Sequence, residues 1–177
     1  RLASAQAAAD KFGVPHAYDD WQAMLDRHSV DLVCIATPTV LHAPQTLMAL
    51  AKGAHVLCEK PTAMNAASAQ TMLDAATKVN RVHMIDHELR FNPNRARIAT
   101  MIAEGDLGNI RHVNIANIGN NWVNPDSRPL GDWWSLADQG GGRLGANGSH
   151  QVDMLRWWLG EVAWVTGAAP VIIPERS

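Results

Sequence analysis

The spacing of apolar residues divides the chain into two stretches of different character. Leu2–Phe12 is alanine-rich, closes at Gly13 and is followed by Pro15, which predicts a helix with a glycine stop. Asp19 and Asp20 are suited to cap a short helix over Trp21–Asp26. Asp31–Ala36 is a short apolar run ending at Thr37-Pro38-Thr39, the pattern of a buried parallel strand. Leu47, Met48 and Ala51 follow at helical spacing up to Gly53, and Ala54–Cys58 reads as a second buried strand. Asn65 then caps a helix striped by Ala69, Met72, Leu73 and Ala76, and Arg81–Asp86 reads as a third strand. Strand, helix, strand, helix, strand predicts an α/β fold: parallel strands covered by helices, half of a doubly wound sheet.

Beyond residue 86 the pattern changes. Asn92-Pro93 predicts a helix start, with Ile98, Met101 and Ile102 as its stripe and Gly105 as its stop. Ile110–Ile118 alternates, which predicts a long strand of an antiparallel or mixed sheet. A loop rich in Trp, Asn, Asp and Gly covers 119–142, and a helix is expected over Gly148–Leu159 with Val152, Leu155 and Leu159 inward. Val162–Ile173 reads as a strand broken at Pro170. The expected domains are 1–88 and 89–177. The chain opens on Arg1 with a helix already under way, so it reads as an internal piece of a longer protein.

Composition removes several function classes. The 177 residues are 47% hydrophobic and 18% charged with net charge −2, an ordinary globular balance without the basic footprint of a nucleic-acid binder. Cys34 and Cys58 form no CxxC pattern, and the histidines follow no ligand spacing, so no metal is expected. No apolar run is long enough to cross a membrane.

Candidate chemistry concentrates at the strand ends, where open parallel sheets bind ligands. The first end carries Thr37-Pro38-Thr39 and His42, the second Glu59-Lys60-Pro61, and the third His87 and Arg90. Pro61 keeps Lys60 extended, so Glu59 and Lys60 point to opposite sides. A lysine held in a crevice can donate a proton, although a solvated charge pair in a loop accounts for the same residues. Five glycines lie within Gly140–Gly148 and lead into Ser149-His150, with Asp153 three residues on. Glycines allow close backbone approach to a ligand. His150 is expected in the first turn of its helix, where the positive helix end favours neutral imidazole, with Asp153 orienting it or binding a hydroxyl; a structural His–Asp pair is the other reading. Trp122, Trp133 and Trp134 suit either sugar rings or packing, Trp157 and Trp158 suit core or interface, and Cys58 reads as an inert small hydrophobe.

Four motifs in this order carry a resemblance. Asp31–Thr39 with His42, Gly53–Pro61, Arg90-Phe91-Asn92-Pro93, and the glycine-rich run into Gly148-Ser149-His150 with Asp153 resemble the Gfo/Idh/MocA oxidoreductases. The resemblance implies a partial Rossmann-type nucleotide-binding domain followed by part of an α+β domain with a large open sheet. It implies NAD or NADP as cofactor, with Thr37, Pro38, Thr39, His42, Glu59, Lys60, Pro61 and Arg90 around it, and a cis Pro61. It implies catalytic Lys60 and His150 acting on a sugar, cyclitol or related polyol, with His87, Asn147, Asp153 and Trp134 toward the substrate. A cytoplasmic homo-oligomer, with no nucleic-acid or membrane partner, belongs to the same expectation.

Two departures qualify it. Many members carry Asp four residues before the helix-start His, where this chain has Ala146, so an Asp–His pair cannot operate. That keeps a second reading in view, a cofactor-sensing protein without turnover. The glycine-rich phosphate turn and the ribose-reading residue are expected upstream of Arg1, so these residues alone are expected to bind cofactor poorly.

Overall fold

The computed structural model describes residues 1–119, 124 and 131–171. The chain folds as two compact units, Arg1–Ile85 and Asp86–Ser177.

The first unit begins with α1 (Leu2–Phe12), ended by Gly13 in the left-handed region, and α2 (Trp21–Arg27), where the Asp20 carboxylate accepts from the Gln22 N–H. Strands β1 (Leu32–Ile35), β2 (His55–Cys58) and β3 (His83–Ile85) form a parallel sheet in that order. Helices α3 (His42–Ala51) and α4 (Ala66–Lys78) make the two crossovers and pack against each other. The Asn65 side chain caps α4 by accepting from the Ser68 N–H, an interaction of about 1 kcal/mol.

One sheet face holds the core. Val33, Ile35, Val56, Cys58 and Ile85 meet Ala49 and Leu50 of α3, Met72 and Ala76 of α4, and Leu25 of α2. The opposite face leaves Leu32 and Met84 exposed. Among the described residues β1 is therefore covered on one face, whereas its unbroken apolar run suggests burial on both. Two further corrections concern helix faces. α3 buries Gln45, Thr46, Ala49 and Leu50, while Leu47 and Met48 are half-buried and Ala51 is exposed. In α4, Leu73 is 55% exposed.

The second unit holds a helical turn over Glu88–Phe91, then α5 (Pro93–Glu104), capped by the Asn92 side chain and stopped by left-handed Gly105. Short helical turns over Trp133–Ser135 and Ala137–Gln139 lead to a five-residue π-helical segment, Leu144–Gly148, that runs into α6 (Ser149–Leu159). α6 packs on α5 and on the 88–91 turn. Its buried residues are His150 and Met154; Val152 and Leu159 are exposed, contrary to the apolar stripe.

The alternating stretch 110–118 forms no strand, nor do the described residues 162–171. Alternation supplies a face but not a partner, and no ladder forms with either segment among the described residues. Trp122 and residues 172–173 of the predicted strand lie outside the described residues.

Candidate functional site

The first unit builds a rim from two strand ends. Ile35 pairs with Cys58 and Cys58 with Ile85, so the three strands finish level. The Glu59 N–H donates to the Ile35 carbonyl at 2.8 Å, extending the pairing one residue beyond β2. Lys60-Pro61 is a cis peptide, and the Glu59 carboxylate accepts from the Lys60 backbone N–H at 3.1 Å. Glu59 thus engages the chain at residue 60.

His42 ties the two strand ends together. It is 1% exposed, with Nδ1 2.9 Å from the Pro61 carbonyl oxygen and Nε2 3.0 Å from that of Thr37. A ring so buried and so engaged braces the rim on which the cofactor contacts are expected. Thr37 Oγ1 donates to Gln45 Oε1 at 2.8 Å; Gln45 is a buried member of the site that sequence reasoning passed over. Thr39 is buried with its hydroxyl lacking a hydrogen-bond partner among the described residues, while Thr37 and Pro38 are half-buried. A half-buried lysine beside polar threonines at parallel strand ends is a donor set that fits an anionic dinucleotide and its ribose hydroxyls. Burial pushes the Cys58 thiol up to about 11, Glu59 adds to the rise, and a Thr46 hydrogen bond opposes it, so this cysteine stays an inert thiol at neutral pH.

The second unit gathers a separate cluster. Arg90 Nε and Nη2 donate to the two carboxylate oxygens of Asp153 at 2.8 and 2.7 Å, a bidentate pair, and the guanidinium lies 5.6 Å over the Trp157 ring. Burial works to raise the Asp153 carboxyl, but hydrogen bonds from Arg90 and the charges of His87, Arg90 and Arg156 outweigh it and hold it below the usual carboxylate range. The shift is downward, so its stabilisation is complete above about pH 4 and is lost as pH falls through the native-state value. His87 Nδ1 lies 4.0 Å from Asp153 Oδ2, and the His87 and His150 rings meet edge to face at 5.7 Å. His150 Nε2 lies 3.8 Å from Glu88 Oε2.

The structure places three of the expected site residues as follows. His150 lies in the first turn of α6, as expected, but α6 continues helical backbone that begins at Arg143 and passes through the π-helical segment, so the helix-end field is one to two turns away. Asp153 is committed to Arg90 and faces His87. Arg90, expected beside the cofactor, is joined to Asp153. Asn147 is half-buried and Ala146 buried within the π-helical segment. Glu88 was missed because 62 positions separate it from His150 and no local period joins them. Its one sequence signal is its place between His87 and Arg90, just after a predicted strand end.

The glycine run has a packing role. The Gly142 N–H donates to the Trp134 carbonyl and the Gly141 N–H to that of Leu136, both at 2.9 Å. This brings the half-buried Trp133-Trp134 pair, rings 4.7 Å apart, onto the start of the α6 helical run. A Cβ at Gly141 would stand 2.5 Å from the Trp134 carbonyl oxygen and press equally on that of Trp133. Gly141→Ala is therefore expected to cost roughly 1–3 kcal/mol and lower Tm by several degrees in thermal unfolding. Gly167→Ala, with open space at its Cβ position, is expected to leave Tm unchanged.

Among the described residues no group of three His, Cys, Asp or Glu could hold a metal ion, and no helix is long and apolar enough to cross a membrane.

Comparison with known proteins agrees with this architecture. Residues 1–87 match the oxidoreductase family with an NAD-binding Rossmann fold, and residues 96–177 match the GFO/IDH/MocA C-terminal domain. Levoglucosan dehydrogenase of Pseudarthrobacter phenanthrenivorans is 33% identical over 172 residues, covering 97% of this chain and 44% of the relative. D-glucoside 3-dehydrogenase of Escherichia coli K12 is 37% identical over 160 residues, covering 90% of this chain and 44% of the relative. The solved structure of levoglucosan dehydrogenase with NADH and levoglucosan matches at TM-score 0.78 and 32% identity, over 91% of this chain and 43% of that one. An oxidoreductase domain protein from Kribbella flavida matches at TM-score 0.81 and 35% identity, over 89% and 43%. The chain spans less than half the length of these relatives. With two domains matched in order along nearly its whole length, the chain belongs to the Gfo/Idh/MocA oxidoreductase family.

Proposed function

We propose that the full protein is an NAD(P)-dependent dehydrogenase that moves hydride to or from a CH–OH or C=O carbon of a sugar, cyclitol or related polyol. The sugar dehydrogenase names of the relatives support the substrate class, and the NADH held by the levoglucosan dehydrogenase structure supports the cofactor. A D-xylose 1-dehydrogenase of Haloferax volcanii that bears NADP(+) in its name keeps both nicotinamides in the proposal. The observation that carries the reading is Lys60, half-buried at the carboxyl end of β2 with Glu59 engaged on its backbone.

Bound nicotinamide supplies the hydride acceptor for oxidation and the donor for reduction. The residues of this chain handle the proton. In oxidation the hydroxyl proton passes to Lys60 or His150 as the C–H hydride leaves, and a C=O forms; in reduction the same groups return the proton to the oxygen. His42 keeps the loop after β1 and the loop at Pro61 in fixed register, which positions Lys60 through its neighbour. Thr37, Pro38, Thr39, Glu59 and Pro61 form the cofactor side of the proposal. Arg90 belongs to that side through its anchored guanidinium. His87, Asn147, Asp153 and Trp134 form the substrate side, with Asp153 acting through Arg90 and His87.

The test is turnover of the full-length protein with NAD+ and with NADP+ against a panel of sugars and polyols, followed by the absorbance of the reduced cofactor. Sugar-dependent reduction of one cofactor is the expected result. Tight cofactor binding without turnover across the panel would assign the protein to sensing instead, and absence of cofactor binding would overturn both readings.

A further inference from the structure

We propose that Glu88 is the positioning carboxylate of His150, taking the part that no acid on α6 or in the π-helical segment fills. The inference rests on the proton-transfer role given to His150 above.

Three observations lead to it. First, the acid nearest His150 in sequence is Asp153, and both of its carboxylate oxygens are engaged by Arg90. Second, the position one turn before His150 is Ala146, buried and without a polar group. Third, Glu88 reaches the ring from a different segment, with Oε2 3.8 Å from Nε2. That distance is longer than a hydrogen bond and within ion-pair range for a protonated imidazole.

The surroundings give the contact a direction. His150 is 8% exposed, whereas Glu88 is 54% exposed, so the ring is fixed and the carboxylate is the adjustable partner. His87 meets the ring edge-on and is itself turned toward Asp153. Arg90 and Arg95 share a small cleft with His150. The charge of Arg90 is matched by Asp153, and Arg95 Nη1 donates to Met154 Sδ at 3.4 Å. Among the described residues, Glu88 is thus an anionic group facing the ring and paired with no other cation. An imidazole that takes a proton during oxidation becomes a cation, and a nearby carboxylate stabilises that form. Its exposure weakens the effect through screening, so the influence is smaller than for a buried pair.

The test uses the full-length protein with Glu88→Gln and Glu88→Asp and two readouts. In turnover, Glu88→Gln is expected to lower kcat roughly 10–10²-fold, less than loss of a direct proton-transfer group, with KM little changed. The limb of the pH profile set by His150 moves to lower pH, because removing the carboxylate removes its support for the imidazolium. Glu88→Asp restores most of both. Independently of turnover, the ¹⁵N ring signals of His150 titrate at lower pH in Glu88→Gln than in the parent protein. An unmoved pH profile and an unmoved His150 titration in Glu88→Gln would overturn the proposal. A moved titration in a protein that turns over no sugar would leave the pairing standing and reject the proposed function instead.

Discussion

Replacing Lys60 by alanine in the full-length protein is expected to slow sugar-dependent turnover by roughly 10²–10⁴-fold, the range for loss of a positioned proton-transfer group. The effect falls on kcat more than on KM, since the lost interaction is made to an oxygen whose charge changes in the transition state. Stability changes little, because Lys60 follows β2 in a half-buried loop and contributes nothing to the cluster around Leu50 and Met72. Steady-state kinetics with the preferred sugar, beside thermal unfolding of the same variant, measures both. Unchanged kcat in a folded variant rejects the role.

The second large effect is expected from His150→Ala, again roughly 10²–10⁴-fold in kcat. His150 is buried, so this variant also loses packing, and His150→Gln, which keeps bulk and a polar end, separates the two contributions. Val152→Ala is the control from the same helix: Val152 is 53% exposed and the variant keeps full turnover. If Lys60 and His150 act on one proton, the double variant loses much less than the product of the single losses. Fully multiplicative losses would indicate two independent roles.

Much of the first unit is readable from the chain because its local signals agree with its packing. Asp20 and Asn65 cap the helices they precede, and Gly13 stops its helix in the left-handed region, as Asn92 and Gly105 do for α5 in the second unit. The two βαβ crossovers follow from short apolar runs separated by helical spacing. What periodicity misjudges is which face finds a neighbour. Leu73 lies on the apolar side of α4, yet among the described residues it stays 55% exposed. The same limit applies to Ile110–Ile118, whose alternation implies a sheet face and leaves its partner unspecified.

In the second unit the error has a different source. The inward side of α6 is mixed: His150 is buried there with Met154, and Asp153 is half-buried beside them. Such a face is tolerated because its groups are paired, Asp153 with Arg90 and His150 with Glu88. A stripe count seeks leucines and valines, and so it turned Val152 and Leu159 inward, where they are exposed, while Leu155 is half-buried. The π-helical segment gives no warning either, since its glycines suit a loop as well as a tight helical insertion. Residue types at the strand ends, by contrast, carried the candidate chemistry of Lys60, His42 and Thr37 without structural help. The bracing geometry of His42 became visible only with coordinates.

The most direct measurement is a crystal structure of the full-length protein with reduced nicotinamide cofactor and a sugar it turns over. The account predicts Lys60 Nζ and a ring nitrogen of His150 both within about 3 Å of the oxygen on the reacting carbon. Either group turned away from that oxygen, or the two opening onto separate cavities, would contradict it.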